Sequence, residues 1–225
     1  MRFKLQFSIF ILILLHIVNV VPGQSSGKPP VRTFDAQHYV IRSSFDRDKK
    51  TYFGDATVSV KPLSDDFRIL TLDAVGLNFS SVSFEGSTEQ LAYKQSGEQV
   101  HITLGRSFTP SETVTVRLKY QAKPKKGVYF VDASKGTEGM PAHSSQVWTQ
   151  GEPQESRHWF PSYDFPDDKA TTEQFITVPN DETAISNGEL IKVAENPDGT
   201  KTFHYKMPVA HSTYLTSMIV GKYVK

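Results

Sequence analysis

The feature that most limits the fold of this chain is its hydrophobic period. Between Thr113 and Ala122 the residues Val114, Val116, Leu118 and Tyr120 recur at every second position, the spacing that lines one face of a half-buried strand. Further short strand-like runs are predicted at His38 to Phe45, Thr51 to Lys61, Arg68 to Asp73, Leu77 to Phe84, Gln90 to Lys94 and Gln99 to Leu104. After a loop-rich stretch they resume at Glu173 to Val178, Thr183 to Ser186, Leu190 to Ala194, Thr202 to Lys206 and Tyr214 to Val220. No stretch has a convincing helical period. In Thr51 to Lys61, Phe53, Val58 and Val60 are the apolar set, and Gly54 is where a bulge fits. The turn Asn196-Pro197-Asp198-Gly199 combines a fixed φ with a residue free to take φ > 0, which predicts a hairpin. Strand after strand at this spacing implies an all-β sandwich or a strongly curved pair of sheets.

Residues 1–23 differ from the rest. Arg2 and Lys4 precede an apolar run from Phe7 to Val21 that is short for a membrane span, and Gly23 precedes a plausible cut before Gln24. This is the pattern of a secretory signal peptide, so the chain is expected to be exported, to the periplasm, the medium or the cell surface, with no stable span after cleavage. Residues 24–33, with Ser, Gly and two prolines, read as a flexible lead-in. Without Arg2 and Lys4 the chain carries 23 basic against 24 acidic residues. The cluster Lys123, Lys125, Lys126 reads as a solvated turn, and nucleic acid is not an expected partner. The chain has no cysteine, which excludes disulfide staples and thiol nucleophiles.

Much familiar chemistry is missing. None of the seven histidines forms an i, i+4 pair that would aim two imidazoles at a metal from one helix face. There is no Gly-x-Ser-x-Gly elbow, and Gly136 to Gly139 lacks the strand and helix that a phosphate loop needs. The unusual segment is Gln146 to Thr172, where two tryptophans, a tyrosine, two phenylalanines, an arginine and several acids crowd irregular backbone. Here Arg157 is expected to tie down nearby carboxylates or carbonyls, Asp164 to accept backbone N–H bonds, and Pro161 and Pro166 to stiffen turns. Arg157, Asp164 and Lys169 are read as scaffold. Gln150 and Glu152 follow a probable strand with Gly151 between them, so both are expected to face one side, where a carboxylate and an amide could recognise a protonated amine. From the residues alone, a solvated pair is the stronger reading.

The segment resembles the N-terminal domain signature of the aminopeptidase N family of zinc metallopeptidases. The matching residues are Thr149, Gln150, Glu152, Pro153, Arg157, Phe160, Pro161, Asp164, Pro166, Lys169, Ala170 and Thr171. Flanking residues agree: Tyr39, Ile41, Gly54, Pro124, Gly127, Tyr129, Phe130, Met207-Pro208, Tyr214 to Ser217 and Val220-Gly221. The resemblance covers essentially everything after the leader. It implies a saddle-shaped antiparallel β-sandwich over residues 34–225, packed on a zinc catalytic domain that this chain does not contain. It also implies that Glu152 pairs with the α-ammonium of a peptide N-terminus and that Gln150 lines the first side-chain pocket. Zinc is expected in the full-length enzyme and none in this chain, because the His-Glu-x-x-His helix and the Gly-Ala-Met-Glu-Asn loop are absent from it; alone it is expected to be inactive. Ser162 and Phe165 depart from the common cysteine and acid of relatives, and neither is a proposed substrate contact.

Two alternatives stand beside this reading. One is a stand-alone secreted β-sandwich that binds peptides or a protein without catalysis. The other is a carbohydrate-binding surface built on Trp148 and Trp159. The sequon Asn78-Phe79-Ser80 carries meaning only in a eukaryotic secretory pathway.

Overall fold

The computed structural model describes residues 31–223, so the leader and residues 24–30 of the lead-in lie outside the described residues. The chain opens with β1 (Phe34–Asp46) and β2 (Thr51–Pro62), then β3 (Phe67–Asp73), β4 (Asn78–Phe84), β5 (Tyr93–Ser96), β6 (Gln99–Phe108) and β7 (Val114–Ala122). Next come β8 (Val128–Val131), β9 (Gln146–Thr149), β10 (Ala170–Pro179), β11 (Thr183–Ser186), β12 (Glu189–Glu195), β13 (Thr200–His211) and β14 (Met218–Gly221). Among the described residues the only helical pieces are 3-10 turns at Ser156–His158 and Thr213–Leu215.

Three sheets result: a seven-stranded sheet in the order β12-β13-β10-β1-β2-β7-β4, a four-stranded sheet β11-β14-β9-β8, and a three-stranded sheet β3-β6-β5. The all-β expectation holds. One detail departs from a purely antiparallel layout: β1 and β10 pair in parallel, with His38 opposite Thr171 and Ser43 opposite Ile176. The chain reaches β10 only after running through the three-stranded sheet and two strands of the four-stranded one, and so long a crossover lets it re-enter in the direction of β1. The predicted hairpin joins β12 to β13, closed by Asn196 N donating to Thr200 O at 2.8 Å.

The period-two residues of the large sheet form its inner face. Tyr39, Ile41, Ala56, Val58, Val116, Leu118 and Ile176 are all buried. Both small sheets lie on that face. Phe34 meets Phe67 of β3 with ring centroids 6.3 Å apart, and Phe84 meets Phe108 of β6 at 5.9 Å. Toward the other end of β1, Phe45 meets Phe130 of β8 at 6.3 Å, and Tyr205 Oη donates to Ala184 O of β11 at 3.0 Å. Between the small sheets runs the aromatic segment after β9. Trp159 and Phe160 are fully buried, with Trp159 against Tyr52 at 6.2 Å and Phe160 against Tyr39 at 5.6 Å. Each such ring contributes roughly 2–3 kcal/mol through burial.

Three local expectations are corrected. Gly54 is not in a bulge: its register with Ser43 and Tyr120 is continuous, and the Tyr120 ring fills the space a Cβ would need. The β1/β2 irregularity lies instead between Ala36 and His38. Phe53 is exposed while Val58 and Val60 are buried, because an odd spacing puts it on the opposite face. Arg32, assigned to the flexible lead-in, is anchored by ion pairs to Asp35 at 2.7 Å and Asp168 at 3.1 Å.

The other face of the large sheet carries a ladder of charges. Lys206 and His204 both meet Glu173, at 2.8 and 3.1 Å. The His204 ring stacks on Phe175 at 4.1 Å, and Arg42 lies 5.4 Å over the same Phe175 ring. Arg42 reaches Asp55 at 3.8 Å, and Arg117 grips Asp55 through two 2.7 Å bonds. Burial pushes the Glu173 carboxyl up, but the bonds from Lys206 and His204 outweigh it and hold the group below its ordinary range.

Candidate functional site

β9 leads directly into the signature segment. Thr149 is the last buried residue of the strand, and its hydroxyl accepts a bond from Met218 N at 2.9 Å. Gln150 and Glu152 follow, both exposed, on either side of the buried Gly151. Neither side chain has a hydrogen-bond or ion-pair partner among the described residues. The backbone beneath them is fixed. Gln150 N donates to Gly127 O at 2.9 Å, and Glu155 N donates to Gly151 O at 2.8 Å. A Cβ on Gly151 would lie 2.5 Å from Tyr214 O and 2.8 Å from Ser156 Oγ, so only glycine fits this approach to the second 3-10 turn.

Behind the loop is a buried ionic cluster. Asp164 Oδ2 accepts from Arg157 N at 3.1 Å and from Arg157 Nε at 3.2 Å, and Asp164 Oδ1 accepts from Thr213 Oγ1 at 2.7 Å. Arg157 also donates to Glu98 at 2.9 Å and to Asp164 O at 3.2 Å. Asp164 N in turn donates to Asp73 Oδ2 at 2.9 Å. Burial pushes the Asp164 carboxyl above its ordinary range, opposed by the Thr213 and Arg157 bonds. Arg157 thus binds two carboxylates and a carbonyl, and Asp164 accepts the backbone N–H of Arg157. Phe160 and Pro161 are buried, whereas Pro166 and Lys169 are exposed, and Lys169 meets Asp168 through its backbone N–H at 2.9 Å. Asp73, Glu98 and Thr213, from distant parts of the chain, and Ser156, from within the segment, complete the arrangement; none of them carries a local signal.

The exposed face of the four-stranded sheet adjoins this loop. Ile185 pairs with Ile219, Ile219 with Trp148, and Trp148 with Tyr129, so one residue from each strand forms a continuous row. Ile185 is 49%, Ile219 44% and Trp148 37% exposed, and the Trp148 ring stacks on Tyr129 at 4.7 Å. Tyr129 Oη donates to Glu155 at 3.2 Å, joining the row to the loop. Trp159, in contrast, is 0% exposed. A sugar platform built on both tryptophans is therefore excluded.

No group of His, Cys, Asp or Glu among the described residues is placed to hold a metal ion. No helix among them is long and apolar enough to cross a membrane.

A seven-stranded mixed sheet with two smaller sheets on one face and this loop between them is an architecture shared with the N-terminal part of M1 zinc metallopeptidases. The chain superposes with a TM-score of 0.71 on an M1 zinc metallopeptidase from Deinococcus radiodurans, at 26% identity over 84% of this chain and 42% of that one. A mutant of that enzyme bound to a Tyr-Ser-Ala substrate superposes with a TM-score of 0.70 at 27% identity, over 84% of this chain and 43% of that one. The family model for the Peptidase M1 N-terminal domain matches residues 35–215, and the chain belongs to that family. It is also 24% identical, over 86% of its length, to transcription initiation factor TFIID subunit 2 of Drosophila melanogaster, of which it covers 19%. The chain therefore spans less than half of these solved relatives and about a fifth of that curated one.

Proposed function

We propose that this chain is the substrate-docking and scaffold portion of an exported zinc-dependent aminopeptidase that removes N-terminal residues from peptides. Glu152 pairs with the α-ammonium of the peptide, and Gln150 lines the pocket for its first side chain. The observation that carries this reading is a carboxylate and an amide, both exposed and without a partner among the described residues, on backbone that the fold fixes from beneath. With the backbone fixed, an unpaired carboxylate at this position is available to accept charge-assisted bonds from an ammonium. The Tyr-Ser-Ala complex of the Deinococcus radiodurans relative supports a peptide as the ligand. On this reading, zinc and hydrolysis belong to the catalytic domain that the docking portion serves. The row Ile185, Ile219, Trp148 and Tyr129 is the face that receives that domain.

The test is aminopeptidase activity and bound zinc, measured on residues 24–225 and on a longer chain extended through whatever its gene encodes next. Turnover and stoichiometric zinc only in the longer chain support the reading. Peptide binding unchanged by Glu152→Ala in an active enzyme overturns the role of Glu152. Similarity to a transcription factor subunit favours a second reading, a peptide- or protein-binding module without catalysis. That reading gains if no longer frame exists and neither sample turns over peptide.

A further inference from the structure

We propose that Thr213 is a positioning residue for the Gln150–Glu152 loop, an inference that rests on the amine-docking reading above. The loop leans on the second 3-10 turn through Gly151, whose missing side chain lets the Tyr214 backbone come close. Two bonds set where that backbone lies. Thr213 Oγ1 donates to the buried Asp164 Oδ1 at 2.7 Å, and Thr213 O accepts from the fully buried Ser156 Oγ at 3.0 Å. The Arg157–Asp164 pair is thereby connected through Thr213 and Tyr214 to the residue between the two docking side chains. Ser156 closes the circuit from the other side, since its Oγ also borders Gly151. Shifting the turn tilts Gly151 and with it both flanking side chains, and small misplacements of a docking group are costly in recognition.

Thr213→Val removes the donor and keeps the shape, while Thr213→Ser keeps the donor. The first measurement needs no ligand: amide hydrogen exchange at Glu155, whose N–H bonds Gly151 O. Thr213→Val accelerates it by about tenfold relative to Val116 in the core, and Thr213→Ser restores it. The second is binding of leucine amide, with N-acetyl-leucine amide as the uncharged control. Thr213→Val weakens leucine amide by about tenfold, Thr213→Ser does not, and Ile102→Val, a core change in the three-stranded sheet, leaves binding unaltered despite its lower Tm. Unchanged exchange at Glu155 in Thr213→Val overturns the positioning role. So does a loss of binding that Ile102→Val reproduces at equal Tm. Wild-type protein that does not distinguish the free from the acetylated amine overturns the amine-docking reading instead, while the exchange result still decides whether Thr213 holds the loop.

Discussion

Two sheets of this molecule turn a face to solvent, and the faces are built on opposite principles. On the large sheet, Lys206, Glu173, His204, Arg42, Asp55 and Arg117 answer one another across neighbouring strands. On the four-stranded sheet, the residues in register are Ile185, Ile219, Trp148 and Tyr129. Both follow the same alternation of buried and outward positions, so the difference lies only in what was placed outward. The matched charges that dominate the first face, beside the exposed Phe53, are satisfied in water and resist casual association. A row of aliphatic and aromatic groups leaves apolar area hydrated, and covering it is favourable by roughly 25 cal/mol per Å². The contrast teaches that exposure has a different meaning on each sheet: one face is an outside, the other the unfinished half of an interface.

The largest expected effect breaks the apolar row. Purified residues 24–225 are expected to self-associate and bind an apolar dye. Ile219→Lys is expected to weaken the association by about a hundredfold, near 2.7 kcal/mol, with little change in Tm, as read by sedimentation equilibrium. A monodisperse wild-type monomer that ignores the dye would erase the distinction between the faces. A smaller effect comes from the charged side. Arg117→Leu strips Asp55 of its two-bond partner and is expected to lower stability by about 1–2 kcal/mol in denaturant titration. Indifference to that change would reduce the ladder to decoration. The smallest effect depends on pH. Because the Glu173 carboxyl is held below its ordinary range, its contribution is complete above its unfolded pKa of about 4.3 and fades as pH falls through the folded value. Wild type and Glu173→Gln should therefore differ by less than about 1 kcal/mol at neutral pH and converge in acid. A gap that widens on acidification would reverse the sign of this assignment.

Much of the fold was legible because half-buried strands write their faces into the sequence at period two, as Val114 to Tyr120 do. Shorter strands follow this rule unevenly. β11 is read at Thr183 to Ser186 and a strand is expected just before Gln150, but β8 (Val128–Val131) spans four residues with no clear alternation and is not read as a strand. Phe53 misleads because an aromatic facing outward looks like one facing the core. The parallel pairing of β1 with β10 leaves no local trace, since register between distant strands is set by packing. At the candidate site, Gln150, Glu152, Arg157 and Asp164 stand within one stretch and were visible together. Thr213 and Asp73 were not, because a hydroxyl or carboxylate from elsewhere joins a cluster only when the chain folds back on itself, and Ser156, though within the stretch, gains its role only through Thr213.

The parallel pairing has a consequence in time. A ribosome completes β1 long before it reaches β10: His38 waits for Thr171, a delay on the order of ten seconds at usual elongation rates. β2 covers one edge of the first strand almost at once, but the other edge stays open for the whole interval. The central strand of the largest sheet is thus begun first and closed late, so the domain cannot finish folding while it is being made. Until Ala170 and its neighbours arrive, the nascent chain carries a bare edge that another strand could occupy.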